Sequence, residues 1–200
     1  SLKDEIPKLK AAHTVAIGFF KDVKSDDVDD YVLTLKDEEV RAQFEIAYKR
    51  FAKQMNVILP DKAASPFVKD LTFLGKVLNA ARLRYREEGL DISDVGEKVR
   101  QLVDEHIIST GVDPKIPPVD LLAANFKEKL SEVKSTESKA SEVESAIKHH
   151  ITVNLEEDPE YYKSLSLRLR DMIVKNAGNW QRQLELLLEM VDNIEGEHHQ

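Results

Sequence analysis

The spacing of the apolar residues constrains this chain more than any other feature. Between residues 40 and 58, apolar side chains return every three or four positions, which is the period of an α-helix and not of a strand. This stripe consists of Val40, Phe44, Ala47, Tyr48, Phe51, Met55 and Ile58. Similar spacing recurs along the sequence, and no segment alternates convincingly as a half-buried strand would. The sequence predicts an all-α protein, an irregular multi-helix bundle of about eight helices.

Capping residues, prolines and glycines divide this pattern into helices. Asp37 and Pro60 bound the longest stripe, and Asp158 before Pro159 is typical of a helix start. A proline-rich irregular stretch is expected at 111–118, and an exposed polar one at 134–139. We predict one domain over 1–200, with sub-lobes 1–88 and 90–200 hinged near Gly89, or with Gly111 as the alternative hinge. The other predicted helix starts are Pro7, Ser25, Asp70, Ser93, Asp120, Ser141 (with Glu144 as a capping box) and Asn179.

The composition excludes several classes of function. The chain has no cysteine, which rules out disulfides, thiolate zinc sites and cysteine nucleophiles. Its net charge of −8 opposes a function that depends mainly on contacts to nucleic-acid phosphates. No apolar run approaches the roughly 20 residues of a membrane span, so we expect a cytoplasmic protein without a membrane partner. Because the chain begins at Ser1 and enters a helical pattern at once, we expect a fragment of a longer protein.

Motifs for nucleotide binding and hydrolysis do not occur in the sequence. A P-loop needs glycine five residues before its Gly-Lys and Ser or Thr after it, but Gly75-Lys76 has Asp70 and Val77 at these positions. There is no Gly-x-Ser-x-Gly elbow for a nucleophilic serine. Acid-x-Lys pairs, which restriction-class nucleases carry on a strand, are expected by chance in a chain that is 33% charged. These pairs lie at 22–24, 113–115, 132–134 and 137–139.

Histidines and arginines are the remaining candidates for chemistry. Adjacent helix residues point about 100° apart, so His149 and His150 cannot easily bind one metal ion together. We interpret His150 as packed beside an exposed His149, and His106 as a core histidine on an amphipathic helix. Arg82 and Arg86 fall on one predicted helix face and are weak candidates for contact with DNA. We predict no catalytic, cofactor-binding or metal-binding residue in this chain.

Six segments between Arg82 and Leu169 carry a resemblance to a known family. The most specific is Lys-Ala-Ser-Glu-Val-Glu-Ser-Ala-Ile-Lys-His-His-Ile (139–151), which is followed by Glu-Asp-Pro-Glu-Tyr-Tyr (157–162). The others are Arg-Tyr-Arg (84–86), Asp-Ile-Ser-Asp-Val-Gly-Glu-Lys-Val-Arg (91–100), Val-Asp-Glu-His-Ile (103–107) and Gly-Val-Asp-Pro-Lys-Ile-Pro-Pro-Val-Asp-Leu-Leu (111–122). In this order they resemble the C-terminal helical region of the restriction (R) subunit of type I restriction–modification enzymes. Residues 1–36 carry almost no signature of that family.

The resemblance implies a role in assembly. The R subunit of that family is a prokaryotic, ATP-dependent DNA translocase and site-specific endonuclease, whose ATP and Mg²⁺ sites lie in motor and nuclease domains upstream of the helical region. The helical region is thought to dock the subunit on the methyltransferase and specificity subunits. We therefore expect this chain to contact those subunits and the motor domains of its own polypeptide, to need no cofactor, and to meet DNA mainly through the rest of the assembly.

Candidate contact residues lie in the loop 111–118 and in the helix 139–151. They are Asp113, Lys115, Pro117, Pro118, Glu142, Lys148 and His149. Two alternatives stay open. One is a stand-alone metal-dependent hydrolase that uses His149, His150 and nearby acids, and the other is a DNA-guiding helical element that uses Arg82 and Arg86.

Overall fold

The computed structural model describes residues 1–110 and 119–198. Within these ranges the chain forms nine α-helices and no strand, so the predicted all-α class is confirmed. A short 3₁₀ helix, Lys62–Phe67, precedes α4. None of the helices in the described ranges is both long and apolar enough to cross a membrane. The helices are α1 Leu2–Gly18, α2 Val28–Thr34, α3 Glu38–Ile58, α4 Val68–Arg84, α5 Glu97–Ser109, α6 Phe126–Ser131, α7 Thr136–Asn154, α8 Pro159–Lys175 and α9 Trp180–His198.

The chain divides into two compact units. Among the described residues, unit 1 contains 1–83 and 87–110, and unit 2 contains 84–86 and 119–198. This division does not match the sub-lobes 1–88 and 90–200, because α5 belongs to unit 1, and the alternative hinge at Gly111 lies outside the described residues. The side chain of Asn56 on α3 explains this placement, since its Oδ1 accepts hydrogen bonds from the N–H groups of Lys98 (3.2 Å) and Val99 (3.4 Å) at the start of α5.

The core of unit 1 is aromatic and centres on α3. Phe44, Tyr48 and Phe51 are fully buried there, and α1 packs along the same helix. Phe20 places its ring 4.9 Å from that of Phe44 in an edge-on contact. The Tyr48 hydroxyl donates a 2.7 Å hydrogen bond to the carbonyl of Leu71 on α4. The stripe predicted at 40–58 is thus the spine of this unit.

Unit 2 is built around α7, α8 and α9, which pack against one another. Its core is aliphatic, with Val143, Ile147, Leu165 and Leu187 almost completely shielded from solvent. Phe126 and Leu130 of α6 join the same core. The opposite face of α7 also buries small polar residues, two of which contact the segment 84–86. These are Ser138, Ser141 and Ser145.

Three of the predicted helix starts are confirmed by hydrogen bonds. Asp37 accepts from the N–H groups of Glu39 and Val40, and Asp158 accepts from that of Tyr161. Asn179 accepts from the N–H of Arg182 at 3.1 Å and so caps α9. Each of these side chains satisfies a donor that the first turn of a helix leaves unpaired.

The predicted start of α1 is wrong by about one helical turn or more, and those of α2 and α4 are each two residues off. The helix α1 begins at Leu2 and continues through Pro7, so the carbonyl of Lys3 lacks its usual N–H donor. Asp27, not Ser25, caps α2, because its carboxylate accepts from the N–H of Asp29. Asp70 lies inside the first turn of α4, which continues directly from the 3₁₀ helix.

The starts predicted at Ser93 and Ser141 are also wrong. Asn56 caps α5 from a neighbouring helix, and α5 itself follows Gly96, which has a φ of 124°. Ser135 caps α7, so 136–139 are helical and Ser141 and Glu144 lie buried in its interior. The helix predicted from Asp120 is the short α6, which covers only Phe126–Ser131.

Candidate functional site

Four of the predicted partner-contact residues fall outside the described residues. They are Asp113, Lys115, Pro117 and Pro118. The remaining three, Glu142, Lys148 and His149, lie on α7 in unit 2. For these three the structure gives the neighbours, the exposure and the ion pairs.

Glu142 holds two arginines together instead of projecting into solvent. Its two carboxylate oxygens lie 3.2 Å from Nε of Arg84 and 2.6 Å from a terminal nitrogen of Arg86. The side chain of Glu142 is only 14% exposed, and that of Arg86 only 6%. Arg86 also donates to the carbonyls of Arg84 (2.7 Å) and Val119 (3.3 Å). Because its carboxylate is used inside the unit, Glu142 is a structural residue and a poor partner contact.

The segment 84–86 is bound to α7 by more than these charges. The Tyr85 hydroxyl lies 3.1 Å from the Ser141 hydroxyl, and the Ser145 hydroxyl donates to the carbonyl of Arg84 at 3.1 Å. Arg-Tyr-Arg and the Ser141–Ser145 stretch are two of the segments that carry the family resemblance. They are far apart in the sequence and form one cluster in unit 2.

The prediction that Arg82 and Arg86 share a helix face is wrong. The helix α4 ends at Arg84, and Arg86 follows in a left-handed conformation with a φ of 59°. Arg82 belongs to unit 1, where its guanidinium pairs with Glu45 (3.0 Å) and Glu87 (3.2 Å). With Arg82 19% exposed and Arg86 6% exposed, both guanidiniums are already committed to carboxylates. This geometry argues against either arginine as a DNA contact.

Of the histidine pair, the prediction of a packed His150 is confirmed and that of an exposed His149 is wrong. His150 is buried at 5% exposure, whereas His149 is half-buried. The imidazole of His150 meets the ring of Tyr162 edge-on at 5.7 Å, and the side-chain amide of Asn154 lies 3.3 Å from its Nδ1. Lys148 is exposed and pairs with the buried Glu144 at 3.4 Å.

Neither of the other histidine and metal hypotheses gains support. Across 1–110 and 119–198, no group of three histidine, aspartate or glutamate side chains could hold a metal ion. His106 is half-buried at the edge of α5, whose buried residues are Val99, Val103 and Ile107, so the predicted core histidine is wrong. None of the acid-x-Lys pairs in the described ranges lies on a strand.

The sequence reasoning missed an exposed surface on α8. We name the line of Lys163, Leu167, Arg170 and Val174 the outer face of α8; all four are exposed. Leu167 is 64% exposed and Val174 is 69% exposed. Residues spaced by four, three and four positions fall within a narrow sector of a helix, opposite the buried Leu165 and Leu169. The signal was available, because Leu167 and Val174 lie off the inner stripe of the same helix.

The charges on the outer face of α8 are not neutralised inside the described part of the chain. Neither Lys163 nor Arg170 forms an ion pair there, and Arg168 beside them forms none either. Asp171 on the same helix is already paired with Lys175 at 2.9 Å. This helix is therefore locally positive in a chain whose net charge is −8.

A similar line of residues on α3 has a different electrostatic setting. Ile46, Arg50, Lys53 and Val57 repeat the spacing, and Ile46 and Val57 are 56% and 59% exposed. There, however, Asp94 lies 4.0 Å from Lys53 and 3.7 Å from Lys49. The α3 line thus offers a natural comparison, with the same apolar exposure beside a carboxylate.

A cleft in unit 2 is the second feature that the sequence did not reveal. It has a volume of about 510 Å³ and lies between the end of α7, the start of α8 and the end of α9. Its lining residues are His150, Glu157, Asp158, Tyr161, Tyr162, Ile194 and Glu197. The Tyr161 hydroxyl donates to the carboxylate of Glu197. Burial raises the pKa of the Tyr162 hydroxyl, and the negative charges of Glu157 and Asp158 raise this pKa further.

Comparison with known proteins gives no relative for this chain. No protein-family model matches its sequence, and no curated protein or solved structure matches it significantly.

Proposed function

We propose that this chain is a non-catalytic helical assembly module of a type I restriction enzyme R subunit. It docks the ATP-dependent translocase and endonuclease on the methyltransferase–specificity core. The resemblance carried by the segments between Arg82 and Leu169 supports this family. The described residues form packed helices with exposed surfaces. Arg82 and Arg86, the candidate DNA contacts, are paired with carboxylates inside the chain.

The outer face of α8 is the observation that carries the proposal. Single exposed apolar residues are ordinary on a protein surface. Here Leu167 and Val174 lie on one line with two cations that have no ion pair among the described residues. Covering each apolar side chain with a partner removes it from water, which is worth about 2 kcal/mol per residue. The cations favour a partner surface that is acidic between its apolar positions.

The α8 face suits a protein partner better than bare DNA. Contacts to phosphates need cations and gain little from exposed leucine and valine. Alternation of apolar and charged residues along a helix is typical of helix–helix recognition, in which the apolar residues supply affinity and the charges supply specificity. We therefore assign the α8 face to an acidic, partly apolar surface of the methyltransferase–specificity core. Lys148 and His149 remain predicted contacts on α7.

The test is the binding of this chain to the methyltransferase–specificity complex from the same genome. The chain and the complex are mixed at moderate salt, with and without DNA, and separated by size-exclusion chromatography. We expect co-elution that does not require DNA. Absence of binding, or binding only when DNA is present, would contradict the docking role. ATPase and nuclease assays on the isolated chain should show no activity.

A further inference from the structure

The residues that line the cleft in unit 2 have no part in the proposed docking role. Tyr161 and Tyr162 meet edge-on with their ring centroids 4.8 Å apart, and Tyr162 in turn meets His150 at 5.7 Å. Ile194, which is 3% exposed, also lines the cleft. Three aromatic rings and one aliphatic side chain thus form one wall of a cleft of about 510 Å³.

Carboxylates supply the polar side of the same cleft. Among the described residues, Glu157, Asp158 and Glu197 line it, and no lysine or arginine does. Asp158 accepts from the N–H of Tyr161, and Glu197 accepts from its hydroxyl. Within the described part of the chain, the carboxylate of Glu157 forms no hydrogen bond or ion pair, and the Tyr162 hydroxyl forms no hydrogen bond. Within the described part of the chain, the Glu157 carboxylate therefore remains available in the cleft as a hydrogen-bond acceptor and as a negative charge.

This combination selects a class of ligand. The faces of aromatic rings attract ammonium and guanidinium groups, and carboxylates supply the compensating charge and accept short hydrogen bonds from these groups. The lining carboxylates and His150 are not close enough together to form a metal site in the described ranges. A diffuse organic cation with an apolar portion matches both walls better than a small hard ion.

We infer that the cleft lined by His150, Glu157, Tyr162 and Glu197 binds an organic cation, an alkylammonium or guanidinium group. The aromatic wall contacts the apolar portion of the ligand, and the faces of the rings contact its charged group. Glu157 and Glu197 accept hydrogen bonds from that charged group. Such a group comes either from a free small molecule or from a lysine or arginine side chain of a partner. The inference does not depend on the proposed docking role.

Nuclear magnetic resonance titration of the full chain tests this inference directly. The probe is methylguanidinium, and its matched control is methylurea, which has a similar shape and no charge. We expect amide shifts confined to the residues around 150, 157–162 and 194–197 with methylguanidinium, and none of comparable size with methylurea. Equal responses to the two probes, or shifts spread over acidic residues throughout the chain, would overturn the inference.

Variants and a second probe complete the experiment. Glu157→Gln and Glu197→Gln should each weaken methylguanidinium binding about tenfold, whereas Glu189→Gln, an exposed change on α9 outside the cleft, should leave it unchanged. Unchanged binding in both cleft variants would contradict the assignment. Comparison of methylguanidinium with a blocked arginine peptide separates the two sources. Tighter binding of the peptide indicates a partner side chain, and tighter binding of the small cation indicates a free ligand.

Discussion

At the scale of single residues, Gly75 shows how a close approach fixes an amino acid. A Cβ atom at this position would lie 2.5 Å from the Tyr48 hydroxyl and 2.7 Å from a methyl group of Val103. Both neighbours are buried, so neither can move away freely. Glycine is required at position 75 because α3 and α5 pack closely against α4 there, and not because of its backbone conformation.

Gly75→Ala should therefore destabilise unit 1 although alanine favours helices. We expect a loss of about 2 kcal/mol, because overpacking in a filled core costs more than the helix propensity returns. The measurement is urea-induced unfolding followed by far-UV circular dichroism. Gly18→Ala is the control, since a Cβ there meets no atom within 4 Å, and it should be neutral or slightly stabilising. Equal effects of the two changes would contradict the packing argument.

Tyr48 makes the stability of unit 1 sensitive to alkaline pH. Burial raises the pKa of its hydroxyl above the usual value of 10.0, and the negative charge of Asp104 raises this pKa further. The unfolded chain thus ionises first, so the contribution of Tyr48 is complete below pH 10.0 and is lost as the pH rises further. Tyr48→Phe should lower stability at neutral pH by about 1 kcal/mol, through the lost hydrogen bond to Leu71, and should flatten the decline above that pH.

Urea unfolding at several pH values between neutral and alkaline measures this effect. Phe51→Leu serves as the control, because it weakens the same core without removing a titrating group. It should keep the slope of the unaltered chain above pH 10.0. If the stability of Tyr48→Phe declined above pH 10.0 as steeply as that of the unaltered chain, groups other than Tyr48 would control stability at alkaline pH.

Residue-level prediction from the sequence succeeded where a role depends on periodicity alone. The burial of His150 follows from its position on the inner stripe of α7, and the structure confirms it. Gly75 was considered only as part of a P-loop, since nothing in the sequence signals that Tyr48 and Val103 reach it. The pairing of Arg86 with Glu142 was missed for the same reason. Contacts between distant segments do not leave a local pattern.

At the scale of helices, the inner stripes were predicted well and the boundaries less well. Asp37, Asp158 and Asn179 cap their own helices, so the local rules found them. The start of α5 was missed because its cap comes from Asn56, which lies on another helix. The start of α7 was misplaced because Ser141 and Glu144 fit a capping box by sequence but pack inside the helix. The outer face of α8 leaves no separate signal in the inner stripe, because that stripe of the helix reports only its buried positions.

The cluster of Arg84, Arg86 and Glu142 ties the segment after α4 to α7, and its removal should weaken unit 2. Glu142→Ala removes the carboxylate that pairs with the largely buried guanidiniums of Arg84 and Arg86, which we expect to cost about 3 kcal/mol. Thermal and urea unfolding measure the loss. Glu189→Ala, an exposed change on α9, is the control and should stay within about 0.5 kcal/mol of the unaltered chain. Equal stabilities of the two variants would show that Glu142 does not hold the segment.

At the scale of the whole molecule, charge and exposed apolar surface are distributed unevenly. The chain carries a net charge of −8, yet the outer face of α8 is positive and apolar. The α3 line has similar apolar exposure, but Asp94 lies beside its lysines. If the docking account is correct, these two helix faces should respond differently to the same substitution.

The most direct test of the docking role is a titration of paired variants against the methyltransferase–specificity complex without DNA. Leu167→Gln and Arg170→Glu alter the α8 face, and Ile46→Gln and Arg50→Glu are the matched changes on α3. We predict that each α8 variant binds about tenfold more weakly, while both α3 variants bind within about twofold of the unaltered chain. Unchanged affinity of the α8 variants, or equal losses on both helices, would contradict the assignment of α8 as the docking surface.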